Sequence, residues 1–326
     1  MKKQLFFFEV APSWIIILMP ILLISGPFLS DLGVSLIAIL FLINSYKNNL
    51  KKYYNNYYFK IYFIFCLILI LSSLLSDHTL ISLKNSFFYF RFGIFSLCFW
   101  YLLEKNESFL LKYLFLSLLF CYSSLIVDGY FQYFYGKNLL GYGLYNEYRV
   151  SSFFGSELIL GSYLARFFPI FFGLFILLDR SKRNKLMLFF VTVVFILSEG
   201  LIFISGERLA LFFMNLSAVY IILMIKEYKI YRLWTYILSI CIIVVMINTV
   251  PNSKERFIDQ TINDFTRKYN KDITDDKLYI FSKPHTDMYI TAYRIFLDNK
   301  FFGVGPRQFR NTCDQYLVSE YSCETH

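Results

Sequence analysis

The chain has 326 residues, of which 57% are hydrophobic and only 17% are charged, and its mean hydropathy is +0.51. A soluble domain carries about a quarter charged residues, so this composition argues against a water-soluble globular protein. The formal net charge of +9 does not indicate a nucleic-acid partner, because much of it lies in short segments between apolar runs.

Apolar segments close to the length that spans a bilayer recur along the first three quarters of the chain. The first two are short, and the SGPFLSD stretch between them, Ser25–Asp31, predicts a tight turn because Gly and Pro break helices. These two segments fit either a shallow helical hairpin or one long broken span. The start, MKKQLFFFEVAPSW, lacks an A-x-A site, so we expect no cleaved signal peptide. The sequence predicts about nine spans: Trp14–Ser25, Leu32–Asn44, Phe59–Ser76, Phe87–Leu103, Leu110–Asp128, Leu158–Asp179, Leu186–Leu201, Leu209–Ile225 and Leu233–Thr249.

Basic residues are distributed unevenly between the two alternating sets of loops. The richer set belongs in the cytoplasm by the positive-inside rule. The N-terminus is then inside, whereas Gly129–Glu157, the turn at Arg208 and the chain after Val250 are outside. The richer set holds Lys2, Lys3, Lys47, Lys51, Lys52, Lys60, Lys105, Lys112, Arg180, Lys182, Arg183, Lys185, Lys226, Lys229 and Arg232, and the other set holds Lys84, Lys137, Arg149 and Arg208.

The last block of the chain, residues 251–326, is polar and mixed in charge, unlike the transmembrane region over residues 1–250. Its TDMYITAYRIFLDN stretch places apolar residues at helical spacing, which predicts an amphipathic helix. We therefore expect an all-α fold: a polytopic transmembrane helical bundle with a mainly helical periplasmic segment at the C-terminal end.

The cysteines and histidines do not indicate a metal site or a cofactor. Cys66, Cys98, Cys121 and Cys241 fall inside predicted spans, where we expect buried, small apolar groups. Cys313 and Cys323 lie in the outer block, where oxidation is possible, and are close enough in sequence to close a disulfide loop. The three histidines lack metal-ligand spacing.

Cationic residues that the positive-inside rule does not explain gather on the predicted outer side. Arginines at a dry, outward-facing cavity suit a phosphate or diphosphate, because the guanidinium fork binds oxyanions through two hydrogen bonds. Other roles remain open: Arg208 could pair with Glu207, Arg166 with Glu157, and Arg149 could be a solvated loop residue. The candidates are Arg208 in SGERLALFF, Arg149 and Glu157 before a span, Arg166 about two turns into that span, and His285, Arg294, Arg307, Arg310 and His326 in the outer block. The simplest interpretation of Arg307 and Arg310 is that they are surface charges.

The FFGVGP stretch, Phe301–Pro306, predicts a tight Gly-rich turn after the amphipathic helix. It lacks the Gly-Lys-Ser/Thr of a phosphate-binding P-loop and does not follow a predicted strand. Glycine supplies backbone angles that other residues avoid, which suffices to explain the stretch.

Three of these stretches resemble motifs of the O-antigen ligase and O-antigen polymerase family, which are polytopic bacterial membrane proteins. They are SGERLALFF, the later IFLDNKFFGVGPRQFR, and RVSSFFGSELILGSYLARFFP at Arg149–Pro169. The resemblance covers residues 149–326, and Lys300 stands where the family usually has Pro. Relatives continue beyond the motif His that falls at His326, so we expect a C-terminally truncated chain whose own activity is left open.

The resemblance implies a metal-independent, inverting glycosyltransferase of the bacterial inner membrane. The donor would be a glycan on undecaprenyl diphosphate, and the acceptor would be the lipid A core for a ligase or a second lipid-linked glycan for a polymerase. It further implies catalytic roles for Arg208 and His326. Substrate-binding roles would then fall to Arg149, Glu157, Arg166, His285 and Arg294.

Two other functional classes are alternatives to this interpretation. A transporter or flippase for a lipid-linked or anionic solute would predict inverted repeats and helices broken at the membrane midplane, neither of which is evident. A structural or assembly protein without chemistry is the third possibility.

Overall fold

The computed structural model of the chain describes residues 2–146, 148–179, 184–250, 252–266, 282–318 and 323. Over these ranges the fold is all-helical, and only isolated bridges such as Lys137 with Gly143 show extended pairing. Seven helices in the described ranges are long and apolar enough to cross a membrane, so this is a membrane protein. The helices are α1 (Lys2–Ile24), α2 (Pro27–Asn48), α3 (Tyr57–Leu74), α4 (Thr79–Ser86), α5 (Phe90–Tyr135), α6 (Leu160–Asp179), α7 (Lys185–Ser205), α8 (Arg208–Met224), α9 (Lys229–Thr249), α10 (Gln260–Thr266), α11 (Lys283–Asp298) and α12 (Phe309–Thr312), with a π-helix at Glu255–Asp259 before α10.

Each predicted span overlaps a helix, although several span ends lie one to three residues outside it, and several helices are longer than predicted. The helices α1 and α2 have 23 and 22 residues, so each is long enough to cross a membrane. The predicted turn at Ser25–Asp31 is wrong beyond Gly26, because Pro27 begins α2, a position where its missing N–H costs nothing. The helix α5 combines two predicted spans and bends at Asn106, which has non-helical backbone angles. The number of crossings and the periplasmic location of the last segment stay predictions.

The chain divides into two compact units, neither of them continuous in sequence. The first comprises Met1–Pro12, Val34–Tyr101 and Gln260–His326, and the second comprises Ser13–Gly33 and Leu102–Asp259. The predicted boundary between residues 250 and 251 describes membrane topology rather than compactness, and it stays a prediction.

The second unit has the larger apolar core. The second half of α5 packs with α6, α7 and α8 around fully buried side chains that include Tyr122, Phe171 and Leu201. The Tyr122 hydroxyl donates to the Leu164 carbonyl at 2.6 Å, which satisfies a polar group that burial would otherwise penalise. At one end of this unit, Asp179 accepts hydrogen bonds from the Tyr228 hydroxyl and from the backbone N–H of Asn184. The opposite end carries the site described below.

The first unit contains a cluster of buried serines, on α3, on α4 and in the segment between them, that holds the Gly-rich turn. Ser72 donates to the Phe302 carbonyl at 2.5 Å, Ser76 to Val304 at 2.8 Å and Ser82 to Pro306 at 3.1 Å. Gly303 and Gly305 both have positive φ, as predicted for a tight turn. Side-chain hydrogen bonds from these serines therefore hold the turn that follows α11.

The predicted amphipathic helix is present as α11, and the cysteines follow the prediction with one exception. Cys66, Cys98 and Cys121 are buried, whereas Cys241 lies on an exposed face of α9, so its predicted burial is wrong. Cys313 and Cys323 form a disulfide with a Cα–Cα distance of 5.6 Å. This bond closes the segment after α12 into a short covalent loop.

Candidate functional site

The candidate site is built on the turn between α7 and α8, at Ser205–Arg208. Gly206 ends α7 in the left-handed conformation, with φ of 70°, and its N–H donates to the Phe203 carbonyl at 3.0 Å. Glycine is the residue that adopts this conformation without steric cost, which is why it commonly ends helices. The chain reverses here within two residues, and α8 begins at Arg208.

Two guanidinium groups flank Gly206. Arg149 donates from Nε to the Ser205 carbonyl at 2.7 Å, and Arg256 donates from Nε to the Gly206 carbonyl at 2.8 Å. A Cβ on Gly206 would lie 2.7 Å from the Arg256 Nε and 2.9 Å from the Arg149 Nε. The absence of a side chain at Gly206 therefore lets both arginines reach the last carbonyls of α7.

Arg149 reaches this turn from the loop between α5 and α6. Its backbone exchanges two hydrogen bonds with Tyr145, at 2.8 and 2.9 Å, which closes a short turn around residues 145–149. Its guanidinium also lies 5.8 Å from the centre of the Tyr145 ring. The side chain is buried, with 8% of its surface exposed, so the prediction that it could be a solvated loop residue is wrong.

A buried polar network on α5 fixes the loop that carries Arg149. The Gln132 Oε1 accepts from the Ser151 and Ser152 amides at 3.0 and 2.7 Å. The Asp128 carboxylate accepts from the Leu139 amide at 2.8 Å and from the Ser152 hydroxyl at 2.6 Å. Asp128 and Gln132 are four residues apart and so share one helix face. This is why α5 continues past its predicted end at Asp128.

Arg256 is a residue that the sequence analysis missed. It lies in the π-helix after α9, where Phe257 stacks on Phe203 with ring centres 4.5 Å apart. The stacking fixes this segment against the last turn of α7 and directs Arg256 to Gly206. The sequence did contain a weak signal, because Arg256 is the first arginine after a predicted span on the predicted outer side.

Glu207 links the first turns of two helices. Its Oε1 accepts from the Gly161 amide at 2.6 Å, and its Oε2 accepts from the Ser162 amide at 2.9 Å and the Ser162 hydroxyl at 2.8 Å. These amides belong to the first turn of α6, whose N–H groups have no partner within the helix. The N-termini of α6 and α8 therefore meet at Glu207, and both contribute partial positive charge there.

The site has an excess of positive charge. Burial, and then the charge of Arg256, lower the pKa of Arg149, while Glu207 acts in the opposite direction. Burial also lowers the pKa of Arg256, to which the charge of Arg208 contributes, while Tyr148 opposes the shift. Both arginines remain cations at neutral pH, because an arginine pKa starts above 12. Within the described residues, Arg149, Arg208 and Arg256, which form the arginine cluster around Gly206, thus interact electrostatically with one another and with the Glu207 carboxylate.

The other predicted residues of the second unit lie apart from this cluster. Glu157 is exposed and lines a cavity of about 730 Å³, together with Tyr142, Phe153 and Phe154. Arg166 is exposed on α6, six residues after the helix begins. Among the described residues, no hydrogen bond or ion pair joins Arg166 to Glu157.

His285 and Arg294 belong to the first unit, on α11. The exposed His285 shares a hydrogen bond of 2.7 Å between its Nδ1 and the hydroxyl of Ser282, which precedes the helix. Arg294 donates to the Leu317 carbonyl at 3.4 Å and is exposed. His326 lies outside the described residues. Their grouping with the arginine cluster stays a prediction.

Arg307 and Arg310 are exposed in the first unit, in line with their interpretation as surface charges.

Comparisons with protein-family models, curated proteins and solved structures found no match to this chain.

Proposed function

We propose that this protein is a membrane glycosyltransferase of the O-antigen ligase type, which transfers a glycan from undecaprenyl diphosphate to the lipid A core. The observation that carries the proposal is the arginine cluster, defined as Arg149, Arg208 and Arg256 around Gly206. This cluster lies at one end of a helical bundle, where the diphosphate of a lipid-anchored donor would be found.

The cluster suits the charge that develops during such a transfer. The acceptor hydroxyl attacks the anomeric carbon, the bond from that carbon to the diphosphate oxygen breaks, and the electron pair leaves with the diphosphate. Preorganised cations at the departing oxygens lower the barrier, because they need no rearrangement as the charge appears. Guanidinium groups bind such oxygens through two hydrogen bonds. The first turns of α6 and α8 add to the same positive potential.

The cavity beside Glu157 supports a place for the glycan. Its volume of about 730 Å³ is within the range of ligand pockets, and aromatic side chains from the loop between α5 and α6 line it. The loop that carries Arg149 thus also forms part of the cavity wall. His326 stays the predicted base that takes the proton of the acceptor hydroxyl, since histidine is the usual general base near neutral pH.

The proposed location is the bacterial inner membrane, with the cluster on the periplasmic side and the N-terminus in the cytoplasm. The bias of lysine and arginine between loops supports this orientation. The Cys313–Cys323 disulfide supports an oxidising compartment for the last segment.

The test is glycan transfer by the full-length protein in membranes that contain the lipid-linked donor. We expect Arg149→Ala, Arg208→Ala and Arg256→Ala each to lower the rate about 100-fold or more, as loss of a donor to a developing oxyanion does. Lys254→Ala is the matched control, because it removes an exposed cation from the same π-helical neighbourhood as Arg256. Normal transfer by inserted Arg256→Ala and Arg208→Ala proteins would overturn the proposal.

The choice of acceptor separates the alternatives within the family. A lipid A core that receives the glycan identifies a ligase, and a second lipid-linked glycan that receives it identifies a polymerase. Movement of the donor across the membrane without any transfer would instead identify a flippase.

A further inference from the structure

A second polar cluster lies inside the helical bundle, away from the arginine cluster. Glu199 on α7 is fully buried, and so is Ser239 on α9, whose hydroxyl donates to the Glu199 Oε2. The side-chain amide of Asn215 on α8 interacts with the same carboxyl group. Glu199 is six residues before the end of α7, or about 9 Å along the helix axis, so it lies at a depth where charge is costly.

Several oxygens of this cluster lack a hydrogen-bond partner within the part of the chain that the structure describes. They are the Glu199 Oε1, the Asn215 Oδ1 and the hydroxyl of the neighbouring Ser198. The Asn215 amide nitrogen donates to the Leu211 carbonyl at 2.9 Å, which leaves its oxygen as an acceptor. Buried acceptors without donors are rare in folded proteins and call for an explanation, such as a bound ion.

No described cation compensates the Glu199 carboxylate. Arg232 on α9 is seven residues before Ser239, and its guanidinium donates to the Ile221 and Ile225 carbonyls at the end of α8. Arg208 is seven residues before Asn215, or about 10 Å along α8. Other titratable groups on the surrounding helices include Tyr236 on α9, which interacts with Glu199, Tyr130 on α5, which donates to the Leu197 carbonyl, and the exposed Arg166 on α6.

A small cavity adjoins the cluster one helical turn away on each of three helices. Its lining includes Phe195, four residues before Glu199, Ala218, three after Asn215, and Tyr236, three before Ser239. Its volume of about 40 Å³ exceeds the 10–15 Å³ or so that a single water needs. A cavity large enough for a water thus lies about one helical turn from the buried carboxyl group.

We propose that Glu199, Asn215 and Ser239 form a site for one monovalent cation, either Na⁺ or a proton, within the bundle. The chemistry follows from the ligands. One carboxylate balances one positive charge, and amide and hydroxyl oxygens are hard donors that suit Na⁺. A proton would bind to the carboxylate itself and make Glu199 a neutral hydrogen-bonding group between α7 and α9. The site is independent of the glycosyltransferase activity.

The experiment is thermal unfolding of the purified full-length protein in detergent, with NaCl replaced by choline chloride at constant ionic strength. A ligand that binds the folded state raises the unfolding temperature in proportion to the logarithm of its concentration. If the site takes Na⁺, we expect a rise of about 3 °C per tenfold increase in Na⁺ for the wild type. The Glu199→Gln variant should lose this dependence.

The proton is distinguished in the same assay by varying pH without Na⁺. A proton-binding site makes the wild type more stable at mildly acidic than at mildly alkaline pH, and Glu199→Gln abolishes that part of the pH dependence. Glu107→Gln is the matched control, because Glu107 is an exposed glutamate. If Glu199→Gln fails to fold, Ser239→Ala should weaken the response to Na⁺ or to protons. Identical responses of the wild type and of the folded variants to Na⁺ and to pH would overturn the proposal.

Discussion

Residues far apart in the sequence meet at one glycine. Arg149 donates to Ser205 across 56 positions, and Arg256 donates to Gly206 across 50. The sequence indicates Arg149 and Arg208 because both are cations that the positive-inside rule leaves on the outer side. It indicates Arg256 only weakly, because that residue stands in a polar segment with many charges, and the stacking of Phe257 on Phe203 is what places it at the turn.

The first residue-scale prediction concerns the glycine itself. We expect Gly206→Ala to destabilise the protein by roughly 2 kcal/mol or more, because alanine is strained at this φ and its Cβ would displace both guanidinium groups. Both the thermal unfolding temperature and the rate of glycan transfer should fall. Gly173→Ala is the control, because Gly173 is in α6 with no atom within 4 Å of an added Cβ. There alanine should stabilise by about 1 kcal/mol, since it favours helix more than glycine does. Equal effects of the two substitutions would contradict the role given to Gly206.

A second residue-scale prediction concerns Glu207, which we regard as a positioning residue. We expect Glu207→Gln to retain part of the transfer rate, because an amide oxygen still accepts one N–H from the first turn of α6. Glu207→Ala should lose more, since the turn then has no anchor on Gly161 and Ser162. Rates of transfer and the salt dependence of donor binding are the measurements. If the alanine variant transferred as fast as the glutamine variant, Glu207 would have no positioning role.

At the scale of elements, the spans were predictable and their ends were not. Apolar length alone located the helices, because a bilayer needs about 20 apolar residues per crossing. The ends depend on polar contacts that hydropathy does not contain: Asp128 and Gln132 extend α5 because the following loop binds to them. The serine cluster of the first unit was likewise not predictable, because hydropathy does not show which serines bind a turn that lies far away in the sequence.

The element-scale prediction concerns the turn held by that serine cluster. A Cβ on Gly305 would lie 2.8 Å from atoms of both Ser76 and Ser82, whereas a Cβ on Gly303 has no atom within 4 Å. Both glycines have positive φ, so both alanine variants carry backbone strain. We expect Gly305→Ala to increase hydrogen exchange over residues 302–308 more than Gly303→Ala does, because it alone disrupts the hydrogen bonds from the serines. The opposite order would show that strain, and not the serine contacts, holds the turn.

For the whole molecule, the sequence predicts a helical membrane protein, and the structure agrees at that level. Orientation stays a prediction that rests on the bias of lysine and arginine between the loops. Of the residues that meet at the turn, two arginines were predicted from charge bias, whereas the third arginine and the anchoring carboxylate needed the fold.

The whole-molecule prediction tests the orientation. We expect a membrane-impermeant maleimide to label Ser156→Cys in intact spheroplasts, and to label Asn55→Cys only after lysis. Both positions are exposed, and they fall in loops predicted on opposite sides. The control is the unsubstituted protein, treated in the same way. Labelling of Asn55→Cys in intact spheroplasts would reverse the orientation and remove the periplasmic assignment of the arginine cluster.

Arg149 and Arg256 both bind to the turn at Gly206, and this arrangement also constrains biogenesis. A nascent chain inserts from its N-terminus, so the loop with Arg149 and the hairpin of α7 and α8 leave the ribosome before residue 256 does. Until that residue has been made and has packed on the turn, the Gly206 carbonyl lacks its guanidinium and Phe203 lacks its stacking partner. The newly made protein would thus pass through an inserted stage that has these helices but only part of the arginine cluster. Maturation is complete only when the segment after α9 has folded back onto the turn.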